Sequence, residues 1–84
     1  MNEFLKFFDK KSSGFPMHLE ISYSKMCDWN IMIYKKGVAE YYPEAKHDGD
    51  DVMIANINNC DMELCFAMAH VALKEWLSEF EGGY

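Results

Sequence analysis

Residues 61–80, DMELCFAMAHVALKEWLSEF, are the most strongly patterned stretch of the chain and decide its fold. At 100° per residue, most of the large apolar side chains gather on one side, which predicts an amphipathic helix that packs on a sheet. Asp61 is the predicted N-cap, and the glycines that follow Phe80 are expected to stop the helix. The predicted core stripe consists of Met62, Cys65, Phe66, Ala69, Ala72, Leu73, Trp76, Leu77 and Phe80.

The same helix carries apolar residues that this stripe does not use. Leu64, Ala67 and Val71 lie roughly opposite the stripe. Three interpretations are possible. These residues are single apolar surface residues, they contact the N-terminal helix of the same fold, or they form a docking ridge for a partner or a second copy of the chain. The sequence leaves these alternatives open.

Upstream of this helix the apolar residues alternate with period two, which is typical of strands. The alternation predicts strands over residues 17–24, 29–35 and 52–58. The apolar face of the first strand consists of Leu19, Ile21 and Tyr23. This strand is therefore expected to be half-buried.

Three further segments complete the predicted order. Residues 3–11, EFLKFFDKK, have helical spacing, with Asn2 as the predicted N-cap. Residues 38–42 form either a short edge strand or one arm of a long loop, and residues 46–51 are expected to be loop. The chain is thus predicted to be a single α+β domain over residues 1–84. Its antiparallel sheet has three strands, or four if residues 38–42 pair, with a short N-terminal helix and a long C-terminal helix packed on one face.

The amino-acid composition excludes several classes of protein. Half of the 84 residues are hydrophobic, including six Phe, five Tyr and two Trp, which excludes intrinsic disorder. No apolar run reaches the roughly 18 residues that a membrane span needs, so no membrane is expected as a partner. The first residues carry acids and no small-residue cleavage site, so a signal peptide is not expected. The odd count of three cysteines predicts reduced thiols and a cytoplasmic location.

The charge balance argues against direct nucleic-acid binding. The chain has fourteen acidic residues and a net charge of −6, and its eight basic residues are all lysines. Arginine makes most bidentate contacts with phosphate and guanine, and the scattered lysines form no basic stripe. The expected macromolecular partner is a protein with a basic surface.

One acidic segment stands out as a candidate binding surface, because five carboxylates and two tyrosines fall within twelve residues. It is either a solvated loop or a negative patch that meets a basic surface on another protein. The candidate residues are Glu40, Tyr41, Tyr42, Glu44, Asp48, Asp50 and Asp51.

No motif predicts an enzyme, a metal site or a cofactor. Cys60, Cys65 and His70 are spaced five residues apart, which places the last two well apart around a helix axis rather than as zinc ligands. Cys65 is expected to be a core residue. Residues 47–51, HDGDD, lack the span and the closing glutamate of a calcium loop. A small enzyme or ligand carrier that uses these cysteines or His70 remains the alternative.

Two resemblances bear on these predictions. The predicted order α-β-β-β-α resembles the double-stranded-RNA-binding domain, whose last helix begins with lysines. Here that position reads Cys60-Asp61-Met62-Glu63, so RNA binding is not expected.

The stretches CDWNIMIYKKG (residues 27–37) and NNCDMELCFAMAHVALKEWLSEFEGGY (residues 58–84) are similar to small acidic proteins of bacterial phages and other mobile elements. Some proteins of that kind, including anti-CRISPR and other anti-defence proteins, act by stoichiometric binding. They often cover a nucleic-acid-binding surface of a host protein. The resemblance implies an inhibitor that works by binding, and it carries no residue role to this chain. Self-association into a homodimer is the alternative.

Overall fold

The computed structural model describes residues 2–12, 17–26 and 28–84. These residues form two helices and a four-stranded antiparallel sheet, which confirms the predicted α+β class. The elements are α1 (Asn2–Ser12), β1 (Met17–Ser24), β2 (Asp28–Lys35), a 3-10 helix (Ala39–Tyr41), β3 (His47–Asp48), β4 (Asp51–Asn59) and α2 (Met62–Phe80). The strand order across the sheet is β1-β2-β4-β3.

The helix α2 packs across the two central strands, β2 and β4. Ile31 and Ile33 of β2 are fully buried beneath it, and they pair with Ile57 and Ala55 of β4. The register shifts after Ile33, so that β4 carries one additional residue at that point. The apolar face of the sheet and the apolar stripe of the helix therefore form one core.

The predicted stripe of α2 is confirmed, because all nine of its residues are buried or packed against the buried cluster. Asp61 caps the helix, and its Oδ1 accepts the Leu64 N–H at 2.9 Å. At the other end, Gly82 has a φ of +77°, and the Gly83 N–H donates to the Leu77 carbonyl oxygen at 3.1 Å. A left-handed glycine is the usual way to end a helix.

The helix α1 lies on the same face of the sheet as α2. Phe4 is buried, and its ring meets Phe66 of α2 edge-on, with 5.8 Å between the ring centroids. Asn2 belongs to the helix itself, so the prediction that it is the N-cap is wrong. A helix of eleven residues is marginal alone, and this contact supplies the docking that it needs.

The fourth strand exists, but not where the sequence analysis placed it. Residues 39–41 form a 3-10 helix, and the expected loop at residues 46–51 contains β3 and a tight hairpin to β4. Asp48 pairs with Asp51 across a two-residue turn, and Gly49 takes the first turn position with a φ of +66°. Glycine is favoured there in a type II′ hairpin turn, so the Gly49-Asp50 pair was a signal that the sequence analysis missed.

The prediction that β1 is half-buried holds for only part of the strand. Met17 and Leu19 pack against the core, but Ile21 and Tyr23 are 40% and 57% exposed. Ile21 pairs with Ile31 and therefore lies on the helix side of the sheet. Because α2 covers β2 and β4, neither described helix forms a layer above the second half of this edge strand.

Candidate functional site

The acidic segment, residues 40–51, divides into residues that serve the fold and residues that face solvent. Tyr42 belongs to the first group. Its hydroxyl donates to Glu81 at the end of α2 and accepts from Lys35 Nζ at 2.7 Å. Its ring packs against Trp76, with 5.4 Å between the centroids. Tyr42 is half-buried, and it fastens the segment to the core.

Lys35 is the charged centre of this attachment. Its side chain enters the helix side of the sheet, and the residue is only 5% exposed. Burial opposes the charge, but the hydrogen bonds to Tyr42 and Glu81 outweigh it and raise the Lys35 pKa. At Glu81, the hydrogen bonds from Tyr42 and Lys35 outweigh burial and lower the pKa of that carboxyl. The ion pair, 3.1 Å long, is thus kept charged by its own neighbours.

Asp51 also serves the fold. Its carboxylate accepts the Gly37 N–H at 2.8 Å and Lys36 Nζ at 2.9 Å, and so closes the turn after β2. The Gly37 hydrogen bond and then the Lys36 bond lower the Asp51 pKa. Because Lys36 neutralises it, Asp51 adds little to the net negative charge of the surface.

The remaining candidates form an exposed group that we term the acidic edge. It consists of Glu40, Tyr41, Glu44, Asp48 and Asp50. Tyr41 is 71% exposed, and none of the four carboxylates forms an ion pair with any residue that the structure describes. The nearest lysine along the chain, Lys46, is the only one between residues 40 and 51.

A backbone hydrogen bond and a histidine side chain hold the backbone of the acidic edge in position. The Ala39 N–H donates to the Asp50 carbonyl oxygen at 3.0 Å, which ties the 3-10 helix to the β3–β4 turn. His47 Nε2 contacts the Tyr42 carbonyl oxygen at 2.7 Å. The four carboxylates therefore sit on a fixed scaffold at the β3 side of the sheet. A charged surface that is already ordered loses less entropy on binding than a flexible loop does.

The sheet face opposite the helices carries polar groups that bond to one another. Asn30 Nδ2 donates to Asn56 Oδ1 at 2.9 Å and to the Ile57 carbonyl oxygen at 3.0 Å, and the Tyr34 hydroxyl donates to Met32 Sδ at 3.3 Å. Burial, followed by the charge of Asp48 and other nearby carboxylates, raises the Tyr34 pKa. The negative field of the acidic edge thus reaches the neighbouring part of this face.

The cysteines and histidine considered for chemistry do not converge. Cys65 is fully buried against the sheet, where burial raises the pKa of its thiol, whereas Cys60 is exposed. His70 lies between the rings of Phe4 and Phe7 on the side of α2 that faces α1. Among the described residues, no group of three or more His, Cys, Asp and Glu is arranged to hold a metal ion. Cys27 lies outside the described residues.

The second candidate surface remains exposed on α2. Leu64 and Val71 are 50% and 55% exposed, and Met68 lies beside them, so we term Leu64, Ala67, Met68 and Val71 the apolar ridge. The helix α1 packs on the His70 flank and borders Ala67 and Val71 without covering the ridge. Contact with the N-terminal helix therefore does not account for these residues.

Findings on the helices and on similarity to known proteins complete the description. No described helix has the length and apolar character that crossing a bilayer requires. Searches with protein-family models, curated proteins and solved structures give no match to this chain. The geometry of the surface is therefore the basis for a functional conclusion.

Proposed function

We propose that this protein is a non-enzymatic binding module whose acidic edge meets a basic surface on another protein. The observation that supports the proposal is that four carboxylates and Tyr41 are exposed on an ordered scaffold, without an ion-pair partner among the described residues. Such a surface attracts positive charge, and it favours correct orientation and fast association more than it adds affinity.

The distribution of lysines strengthens the field at this edge. Lys35 and Lys36 are each held in an ion pair, so neither offsets the exposed acids. Lys11 and Lys74 both lie over the ring of Phe7, on the α1 side of the molecule. These four lysines therefore do not offset the carboxylates of the acidic edge, and Lys46 is the one lysine within that segment.

Tyr41 supplies the contact area that carboxylates lack. It is 71% exposed at the end of the 3-10 helix, between Glu40 and the inward-facing Tyr42. An exposed tyrosine offers a large ring and a polar tip at low entropic cost, and tyrosines are enriched among binding hot spots. We therefore place Tyr41 at the centre of the contact and the carboxylates around it.

The class of partner follows from this chemistry. A basic surface that normally holds nucleic acid has the charge that the acidic edge requires, and the proposal includes a mobile-element inhibitor that covers such a surface. The proposal includes a cytoplasmic location, with which free thiols at Cys60 and Cys65 are consistent. In this reading the protein inhibits by covering its partner's surface.

The test is affinity capture from a bacterial lysate with the immobilised protein and with an edge variant, Glu40→Gln, Glu44→Gln, Asp48→Asn and Asp50→Asn. We expect a retained protein that elutes as NaCl is raised from about 50 mM to about 500 mM, because exposed charges are screened within about 10 Å. The edge variant should not retain it. DNA added to the column should compete with the immobilised protein for the captured partner.

A matched control separates a local site from net charge. The variant Glu3→Gln, Asp9→Asn, Glu63→Gln and Glu75→Gln removes the same number of exposed carboxylates from the two helices. It should retain the partner as the original chain does. Equal loss in both variants, or capture that does not respond to salt, would contradict the proposal.

Self-association is a second candidate function, favoured by the exposure of the apolar ridge and of the outer half of β1. Both surfaces carry large apolar side chains that a monomer leaves in water. They lie on different elements, so substitutions at Val71 and at Ile21 distinguish them.

A further inference from the structure

The two edges of the sheet are protected very differently. The strand β3 forms one edge with only two residues, and acids surround it. The strand β1 forms the other edge with eight residues, MHLEISYS, which include no proline and no lysine. Its pairing with β2 runs without a register shift. Natural proteins usually shorten, charge, bulge or cover an edge of this length to prevent pairing with another chain. Within residues 2–12, 17–26 and 28–84, β1 shows none of these devices except one carboxylate, Glu20.

We propose that β1 pairs with the β1 strand of a second copy, which joins two sheets into one antiparallel sheet of eight strands. The partner in this inference is another copy of the chain because the strand is complementary to itself in one register. Two identical antiparallel strands that are related by a two-fold axis place one residue opposite its own copy. The choice of that central residue decides which side chains meet.

Two centres allow seven residues of β1 to pair, and they differ in charge. A centre at Glu20 pairs residues 17–23 and sets two carboxylates directly opposite each other, which is destabilising. A centre at Ile21 pairs residues 18–24 and sets Ile21 against the second copy's Ile21. In that register Glu20 lies opposite a serine, Ser22. Centres at Leu19 or Ser22 pair only five residues of the strand.

The Ile21 register also covers the apolar side chains that the fold leaves exposed. Leu19 of one copy lies opposite Tyr23 of the other, on the helix side of the sheet. Met17 and Leu19 pack against the core, whereas Ile21 and Tyr23 are exposed. The two-fold axis places the uncovered half of each β1 beside the covered half of the other. Leu19, Ile21 and Tyr23 of each copy therefore pack beside the same three residues of the other.

This pairing leaves the acidic edge free. Because the order is β1-β2-β4-β3, the β3 hairpins come to lie at the two far ends of the joined sheet. At about 4.8 Å per strand the two acidic edges are roughly 34 Å apart. The inference does not depend on the proposed partner binding, since it uses the opposite edge of the sheet.

Sedimentation velocity from about 1 μM to about 500 μM tests the dimer. We expect a monomer–dimer equilibrium that holds or tightens as NaCl is raised, because each copy carries a net charge of −6 and salt screens the repulsion. Ile21→Lys should raise the dissociation constant at least about tenfold, because two ammonium groups would then oppose each other. Circular dichroism should show that this variant retains its fold.

The matched control is Val71→Lys, which puts the same charge on the apolar ridge and should leave the dimer intact. Loss of the dimer in Val71→Lys but not in Ile21→Lys would overturn the proposal and assign self-association to the ridge. A monomer over the whole concentration range would also overturn it.

Disulfide trapping tests the register. In a chain carrying Cys27→Ser and Cys60→Ser, the substitutions Leu19→Cys, Glu20→Cys, Ile21→Cys and Ser22→Cys are oxidised one at a time. Only Ile21→Cys should give a covalent dimer, because opposed Cα atoms are about 5 Å apart and a disulfide needs less than about 7 Å. Two Leu19→Cys residues would be about 13 Å apart along the strands. Cross-linking at one of the other positions in place of Ile21 would overturn the proposal.

Discussion

At the scale of single residues, the least ordinary feature is a lysine inside the core. Lys35 is 5% exposed and is held by the Tyr42 hydroxyl and the Glu81 carboxylate, with the Trp76 ring 5.6 Å from its Nζ. A buried charge is tolerated when it is paired and hydrogen-bonded, but it is costly when one partner is removed. Removing one partner of the Lys35–Glu81 pair should therefore cost more stability than the intact pair contributes.

This asymmetry gives a prediction for substitutions at the pair. Glu81→Gln should lower the free energy of unfolding by about 1–3 kcal/mol, because the Lys35 ammonium stays buried with weaker partners. Adding Lys35→Met should restore part of that loss, since the apolar stem keeps its packing against Trp76. Urea unfolding of the two variants measures both effects. A double variant less stable than Glu81→Gln alone would contradict the argument.

His70 gives a prediction for pH dependence. Burial and then the charge of Lys74 lower its pKa below 6.5, with Glu3 opposing, and its Nε2 has no hydrogen-bond partner among the described residues. The unfolded chain therefore binds this proton more readily than the fold does. The stability that His70 contributes is fully present above about pH 6.5 and falls as the pH drops through the window below that value.

The measurement is urea unfolding at about pH 7.5 and about pH 5.5. The original chain should lose more stability between these values than His70→Phe, whose ring can keep the contacts with Phe4 and Phe7. His18 and His47 are present in both proteins and cancel in the comparison. An identical loss in both chains would show that His70 does not carry this dependence.

At the scale of the elements, the apolar periodicity, the N-cap and the terminal glycines of α2 all predict the same helix. Its stripe faces the core, and the Asp61 carboxylate caps its first turn through Leu64. Asp61→Ala should cost about 1 kcal/mol of stability, whereas Asp61→Asn, which keeps the acceptor, should cost less than half of that. Thermal unfolding of the two variants separates the cap from the charge. Equal destabilisation would assign the effect to the charge at the helix N-terminus instead.

Some features of these elements could be predicted from the sequence, and others could not. The core stripe of α2 could be predicted because periodicity alone decides which side of a helix is apolar, whereas the register shift after Ile33 interrupts the alternation of β4. The role of Tyr42 could not, because its partner Glu81 is 39 residues away in the sequence. Asp51 was grouped with the exposed acids for the same reason, since its bonds to Gly37 and Lys36 exist only once the strands have paired.

The burial of the edge strand β1 also could not be predicted from its sequence alone. The alternation at Leu19, Ile21 and Tyr23 correctly places these residues on one face, but it does not report how far the helices extend over that face. The width of the helix layer depends on how α1 docks against α2 through Phe4 and Phe66. Local signals could have found β3, since the Gly49-Asp50 turn is visible in the sequence.

At the scale of the whole molecule, one core holds both helices and the sheet together. Leu73 is fully buried in it, whereas Val71, two residues away on the same helix, is 55% exposed. Leu73→Ala should cost about 2–5 kcal/mol, and Val71→Ala should change stability by about 0.5 kcal/mol or less. Urea unfolding measures both values. A large loss at Val71 would mean that the apolar ridge is covered in solution.

Charge is also organised at this scale. The lysines near α1 and the acids of the acidic edge lie on different parts of the molecule, while Lys35 and Lys36 are neutralised inside it. The four exposed carboxylates, with Lys46 as the one lysine between residues 40 and 51, concentrate part of the net charge of −6 at the acidic edge. Binding through that edge should weaken with salt, whereas pairing through β1 should not, and this difference separates the two proposals in one titration.

The positions of the two tryptophans give the chain a built-in optical reporter. Trp29 contacts Tyr23 beside the open edge of the sheet, with 4.9 Å between the centroids, while Trp76 is buried against Phe80 and Tyr42. Indole emission shifts to shorter wavelength when water is removed from around the ring. In a chain with Trp76→Phe, the fluorescence of Trp29 alone therefore follows events at the β1 edge, without a dye or a label.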